Sequence, residues 1–310
     1  MGKSIRAFAP ATVANVACGF DVLGFAVESP GDEVTITLND SGKVTIKSIK
    51  GDGGLLPLDA DKNTVSLVIQ EYLKKIDSKQ GVEIELNKLL PLKSGMGSSA
   101  ASSVVGVYAL NKLLGEPLTQ EELLPFAMQG EFLACGTAHA DNVAPALLGG
   151  FVLIKSYEPL DVIKLPVPTN LYATVIHPHV EVSTKNAREI LPKEITLKQG
   201  IEQWGNLAGL VAGLCQSDYD LIGRSLKDVI VEPVRSLLIP GFDIAKQAAL
   251  DNGALGCSIS GSGPSIFALS NSEDKAVKIG AAMQEIYKKF EIESEVYVSK
   301  VSEQGPRIIE

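Results

Sequence analysis

Aromatic side chains are scarce in this chain: they make up 5% of 310 residues, with one tryptophan, so any core must be aliphatic. Cysteine is scarce as well. Cys18, Cys135, Cys215 and Cys257 lie far apart without a CxxC pair, which indicates neither a disulfide framework nor a zinc site. Cys215 falls in an apolar helical run and reads as a buried free thiol. The longest apolar stretch, Val143 to Ile154, is broken by Pro145 and a glycine pair and falls well short of the ~20 residues of a membrane helix. No signal h-region separates Met1-Gly2-Lys3-Ser4 from the strand-like Ile5 to Ala9, and the expectation is a cytoplasmic protein. Excess positive charge is also missing. A net charge of -9 and a pI near 5.0 argue against binding a nucleic-acid backbone. An acidic protein that binds a nucleotide must supply positive potential locally, from a helix N-terminus, a few basic side chains and a divalent cation.

What is present begins with apolar material, 45% of the chain, enough for a large core in two domains or one large one. The most informative segment runs from Pro91 through Leu92, Lys93, Ser94, Gly95, Met96, Gly97, Ser98, Ser99, Ala100 and Ala101 to Leu114. Its glycines let the backbone turn and approach an anion, and its small residues keep the first helical turn slim. From Ser98 on, Val104, Val105, Val107, Tyr108, Leu110, Leu113 and Leu114 recur at helical spacing until Gly115-Glu116-Pro117 stops the helix. The loop therefore feeds a helix N-terminus, where unpaired N–H groups and the dipole favour negative charge. It is not a Walker loop, because GxxxxGK[ST] does not occur and Lys93 precedes the glycines. Gly95 to Ala100 fits the loose dinucleotide pattern GxGxxA, but that fold wants an acid ending a second strand about 20 residues on. Glu116 and Glu121 sit instead in a polar turn and a helix start. A serine-rich helix start without a ligand remains an alternative for this loop alone.

A second Gly-Ser element counts against that alternative. Ser260, Gly261, Ser262, Gly263, Pro264 and Ser265 make a slim turn leading into the apolar strand Ile266 to Leu269. By itself it is an ordinary glycine turn; with the first loop it suggests two backbones approaching one polyphosphate.

Three blocks carry a resemblance: Phe8-Ala9-Pro10-Ala11-Thr12-Val13-Ala14-Asn15, Pro91 to Ala101, and Gly253 to Phe267. On these the chain resembles the GHMP small-molecule kinases. Gly19 to Gly24, His139 to Phe151 and Ser183 to Arg188 are similar to the branch of that superfamily whose acceptor is L-homoserine. Many members carry a lysine at the position of Thr12; its absence argues against a lysine-assisted mechanism. Val16-Ala17-Cys18 departs from the Gly-Pro common before Gly19-Phe20-Asp21, and Cys18 is expected to be tolerated.

The resemblance implies an α+β fold of two domains, a ribosomal-protein-S5-like ATP-binding domain over 1–160 and a ferredoxin-like domain over 161–310. It implies ATP and Mg²⁺, transfer of a phosphoryl group to L-homoserine in threonine biosynthesis, and a homodimer. ATP would bind along Pro91 to Ala101 and Ser260 to Ser262, its phosphates over Gly95 to Ala101, with Asn63 and Lys88 near the adenine; either of those two could equally be a helix cap or a solvated residue.

Glu131 has an argument of its own. With Leu123, Ala127 and Ala134 it shares one helix face, so its carboxylate projects from the apolar side and demands a cation or donors. The partner is an arginine, or Mg²⁺ shared with Ser98 and phosphate oxygens. A zwitterionic acceptor needs a cation for its carboxylate, a role that suits Arg188 and Arg235, and acids or amides for its ammonium, which suits Asn15, Asp21 and Asn142. His139, Thr184 and Gly261 join the acceptor site by resemblance, as do Asp141 and Asn142 beside the transferred group. The base is unassigned. His177 and His179 leave a metal reading open, and Trp204 reads as core or interface. Two other classes stay open: a related kinase for another alcohol, and a non-catalytic nucleotide-binding regulator.

Alternation predicts strands at 34–38, 44–49 and 82–86, and further strands at 171–176, 265–269 and 295–301. Helices are predicted at 120–135, opened by a Thr119/Glu122 capping box, and near 199–214, 218–230, 242–251 and 274–290. The proline-rich stretch 157–170 reads as the domain connection.

Overall fold

The computed structural model describes residues 2–135 and 139–310, and the side chains at 133–135, 184 and 185 also lie outside that description. The first half contains β1 (Ser4–Val16), β2 (Gly19–Asn39), β3 (Val44–Lys50), α1 (Thr64–Lys75), β4 (Gly81–Asn87), α2 (Ser98–Leu113), α3 (Leu124–Cys135), α4 (Ala140–Leu148), β5 (Phe151–Tyr157) and β6 (Leu160–Leu165). There follow β7 (Tyr172–Pro178), α5 (Thr184–Glu189), α6 (Leu197–Gln216), α7 (Tyr219–Ser225), α8 (Glu232–Arg235), α9 (Phe242–Asp251), β8 (Gly256–Ile259), β9 (Ile266–Ser270), α10 (Glu273–Lys289), β10 (Ser294–Lys300) and β11 (Arg307–Ile308).

Among the described residues, one sheet has the order β11-β1-β2-β4-β3, with β5 branching from β2 and β6 pairing with β5. Only β3 and β4 run parallel in it. Helix α2 packs across β1 and β2, flanked by α1 and α3, which buries its apolar positions. The second sheet is antiparallel, with order β10-β7-β9-β8 and α9 and α10 packed on it. Numbered by its own strands that order is fourth, first, third, second, the ferredoxin-like arrangement expected for the α+β fold. Phe267 of β9 meets Phe25 of β2 edge-on at 5.9 Å, and Phe25 packs at a tilt against Phe151 of β5 at 4.8 Å. These three aromatics thus join the two sheets through a largely aliphatic core, and a second cluster packs the four-stranded sheet against α9 and α10.

The expected strands and the helix after the Gly-Ser loop are present, and the Thr119/Glu122 capping box forms through both of its hydrogen bonds. Its helix opens with a 3-10 turn at Glu121–Leu123 before α3. Three expectations need correction. The stretch 157–170 is not an open connection: Glu158 and Pro159 turn β5 into β6, which pairs back along β5 and extends the first sheet to Leu165. The helix expected over 218–230 stops at Ser225, because the Asp228 carboxylate accepts the N–H groups of Ile230, Val231 and Glu232 and folds the chain into a turn. Cys215 is exposed rather than buried, because α6 turns Gly200, Gln203, Leu210, Gly213 and Leu214 inward. Of the two readings of Trp204, core or interface, its 59% exposure on the same helix removes the first.

Candidate active site

The loop from Pro91 to Gly97 ends in a left-handed Gly97 (φ 68°) that starts α2, and among the described residues no side chain caps its first-turn N–H groups. Those donors are left for a ligand. A side chain at Gly97 would overlap Thr12 Oγ1 and come within 2.9 Å of Asn142 Oδ1, so only glycine fits. Ser99 Oγ, in the same turn, is buried and has no hydrogen-bond partner among the described residues. Ser98 Oγ is also buried, 3.4 Å from the carbonyl of Leu90. Lys93 points into solvent beside Glu181, while Met96 is buried in the core.

The two Gly-Ser loops meet, as their sequences suggest. Ser260 Oγ donates to the Gly95 carbonyl at 2.7 Å, and the Ser265 N–H donates to the Ser94 carbonyl at 3.2 Å. Strand β1 joins them: Thr12 N–H donates to Met96, Gly261 N–H donates to Ala14, and Asn15 Nδ2 donates to the Gly261 carbonyl at 2.9 Å. Register shifts between Pro10 and Thr12 and between Ala14 and Val16 bend β1 at the residues that make these contacts. Ser262 lies in the same turn.

Next to this junction lies a charged pocket. Arg188 Nη2 lies 2.9 and 3.0 Å from the two carboxylate oxygens of Asp21, whose N–H is held by Asn15 Oδ1 at 2.8 Å. Phe20 faces both arginines, with Arg188 5.6 Å and Arg235 4.9 Å from its ring centre. Arg235 is buried, donating to the carbonyls of Ala187 and Gly261; burial, with Arg188 beside it, lowers it to about 10. His139 Nδ1 stands 3.8 Å from Asp21, and burial lowers its pKa against the pull of that carboxylate.

His139 precedes α4, whose first turn carries Asp141 and Asn142. Thr12 Oγ1 donates to Asn142 Oδ1 at 2.7 Å, so the Asn142 amide nitrogen is turned away as a donor. Asp141 is buried; burial, reinforced by Asp21 and Glu131, raises its carboxyl to about 7. Glu131, 6% exposed on α3, lies on the face with Leu123 and Ala127 that its spacing predicts.

Asn15, Asp21, His139, Asp141, Asn142, Arg188, Arg235 and Gly261 are thus brought together around the loops. The Thr184 side chain lies outside the described residues. Of the two residues expected near the adenine, Asn63 takes its helix-cap alternative and Lys88 is buried instead of solvated. Lys88 turns inward to a salt bridge with Asp32, and Asn63 caps α1, accepting from Val65 N–H at 3.1 Å and donating to Pro57. His177 is buried with Nδ1 3.2 Å from Ser265 Oγ, and among the described residues no group of three or more His, Cys, Asp or Glu side chains is set to hold a metal. Cys18 and Cys257 are core thiols, each pushed by burial to about 12. Phe20 lies in the Gly19–Gly24 block but its packing against both arginines has no local signature, and Tyr157 has no site signal in the sequence. Tyr157 Oη donates to the Asp21 carbonyl at 3.0 Å, a contact across the fold that no local pattern announces.

The family description "GHMP kinases N terminal domain" matches residues 63–150, and "GHMP kinases C terminal" matches residues 210–289. A curated homoserine kinase of Chlorobium phaeobacteroides is 53% identical over 99% of this chain and 100% of its own length. The crystal structure of homoserine kinase from Cytophaga hutchinsonii superimposes with a TM-score of 0.97 at 66% identity, covering 100% of this chain and 98% of that one. L. major mevalonate kinase, solved with R-mevalonate, has a TM-score of 0.73 at 18% identity over 97% and 99% of the two chains, a likeness of fold alone.

Proposed function

The chain belongs to the GHMP kinases, and from that premise we propose that it transfers the γ-phosphoryl group of ATP to the hydroxyl of L-homoserine, giving O-phospho-L-homoserine. The observation that carries the acceptor is the Asp21–Arg188 pair beside the phosphate loop. One carboxylate and one guanidinium, held by Asn15 and by the Phe20 ring, offer separate partners for the ammonium and carboxylate of a small amino acid. A neutral sugar has neither charge to offer them.

In this proposal the ATP phosphates meet the uncapped N–H groups of α2, and the second Gly-Ser loop encloses them. The orphaned Ser99 hydroxyl and the buried acid on α3 fit a phosphate with its cation. Ser98 and Glu131 would hold Mg²⁺, which when bound neutralises charge on the phosphate oxygens. Arg188 and Arg235 orient the homoserine carboxylate, while Asp21, with Asn15 and His139, orients its ammonium. Asn142, fixed by Thr12, aims its amide at the transferred group. Asp141, with its carboxyl near 7, is the group that takes the hydroxyl proton in the ionised form. Cytoplasmic location and a homodimer belong to the same proposal and rest on the resemblance; no described helix is long and apolar enough to cross a membrane.

Calorimetric titration tests the acceptor: L-homoserine should bind in the presence of a non-hydrolysable ATP analogue and mevalonate should not. Equal binding of both would refute it.

A further inference from the structure

Beneath the phosphate loop a buried lysine and aspartate tie its two ends together. Asp32 on β2 and Lys88, just past β4, have side chains 0% and 1% exposed. Lys88 Nζ donates to Asp32 Oδ2, to the Ser98 carbonyl at 2.9 Å and to Ser102 Oγ at 2.8 Å. Asp32 Oδ1 accepts the N–H groups of Leu89 at 3.0 Å and Leu90 at 3.1 Å, and Ser102 Oγ donates to Oδ2 at 3.1 Å. Leu89 and Leu90 lead into the loop; Ser98 leads out of it. The cluster thus clamps both ends of the segment whose backbone faces the phosphates.

Clamping the Ser98 carbonyl has a stereochemical consequence. In a trans peptide the carbonyl and the next N–H point opposite ways, so holding Ser98 C=O inward aims the Ser99 N–H outward from the helix start. Stability does not account for the arrangement, because desolvating a lysine and an aspartate commonly offsets their attraction and an apolar pair of similar size serves a core as well. Nor does Lys88 reach a ligand, since its three protons are directed at Asp32, Ser98 and Ser102.

We propose that Asp32, Lys88 and Ser102 are positioning residues that hold the phosphate loop in its anion-binding geometry; the inference rests on ATP binding at that loop. The test is Asp32→Asn/Lys88→Met, which removes both charges together, keeps an amide oxygen for Leu89 and Leu90, and cuts the lysine tether to Ser98, leaving only the Ser102 Oγ contact at 3.3 Å. Lys88→Met alone would strand a buried carboxylate and threaten the fold. With magnesium ATP in calorimetry, the double variant should melt near the wild-type temperature and bind about ten-fold or more weakly, the loss expected for one charge-assisted hydrogen bond. Its KM for L-homoserine should be unchanged. An ATP Kd within about two-fold of wild type in the folded double variant would overturn the inference, as would equal losses for both substrates in step with the melting temperature. Should the double variant not fold, Ser102→Ala decides: weaker ATP binding at an unchanged melting temperature supports the clamp, and unchanged binding overturns it. Wild-type protein that binds no ATP would remove the kinase reading together with this one.

Discussion

Arg188 and Asp21 form a closed ion pair, one guanidinium nitrogen lying 2.9 and 3.0 Å from both carboxylate oxygens. A zwitterionic substrate can enter between them because it replaces each partner's lost charge with one of its own. Arg188→Leu should therefore raise the homoserine KM about ten- to a hundred-fold, the loss of a charge-assisted contact worth roughly 1.5 to 3 kcal/mol. ATP affinity should hold. Steady-state kinetics with each substrate varied in turn checks this, and a fall in ATP affinity or melting temperature with an unchanged homoserine KM would make Arg188 structural.

Glu131→Gln keeps shape but removes a charge from a site that also holds the buried Asp141. If Glu131 holds Mg²⁺, the protein without nucleotide should be equally or more stable, while kcat and magnesium affinity fall sharply. If it instead balances a buried cation, stability should drop by about 3 to 5 kcal/mol. Thermal melts with and without magnesium ATP separate the two.

Asp141 should set activity against stability. Its carboxyl, at about 7 in the fold against an ordinary 3.8, binds its proton more tightly folded than unfolded. The resulting stability is fully present below pH 3.8, declines as pH rises toward 7 and is lost above it, a span of roughly 4 kcal/mol. Asp141→Asn should remove that decline and melt higher than wild type at pH 8, yet lose about 10²- to 10⁴-fold in kcat. Melting curves across pH 4 to 8 that stay parallel for the two proteins would contradict the buried-carboxyl account.

How much of this was legible in the sequence depends on the range of each interaction. The helix after Gly97, the capping box at Thr119 and the inward face of Glu131 follow local periods of three to four residues, and each is present. The length of β1 and β2 was not legible, because their bends fall among alanines and glycines that show little alternation. Asp32 and Lys88 lie 56 positions apart and meet only once β2 pairs with β4, so each alone reads as an ordinary charged residue. The pocket residues Asn15, Asp21, His139, Asp141, Asn142, Arg188 and Arg235 could be grouped only through the resemblance. Their common location depends on Arg188 and Arg235 crossing from the second half of the chain onto Phe20.

The most direct test of the central claim is turnover of the purified protein with magnesium ATP against L-homoserine, R-mevalonate and galactose in parallel, following ADP release and identifying the product by phosphorus NMR. The account predicts O-phospho-L-homoserine formed one-to-one with ADP, and no product from the other two alcohols. Comparable phosphorylation of mevalonate or galactose, or ATP binding without transfer to homoserine, would contradict it.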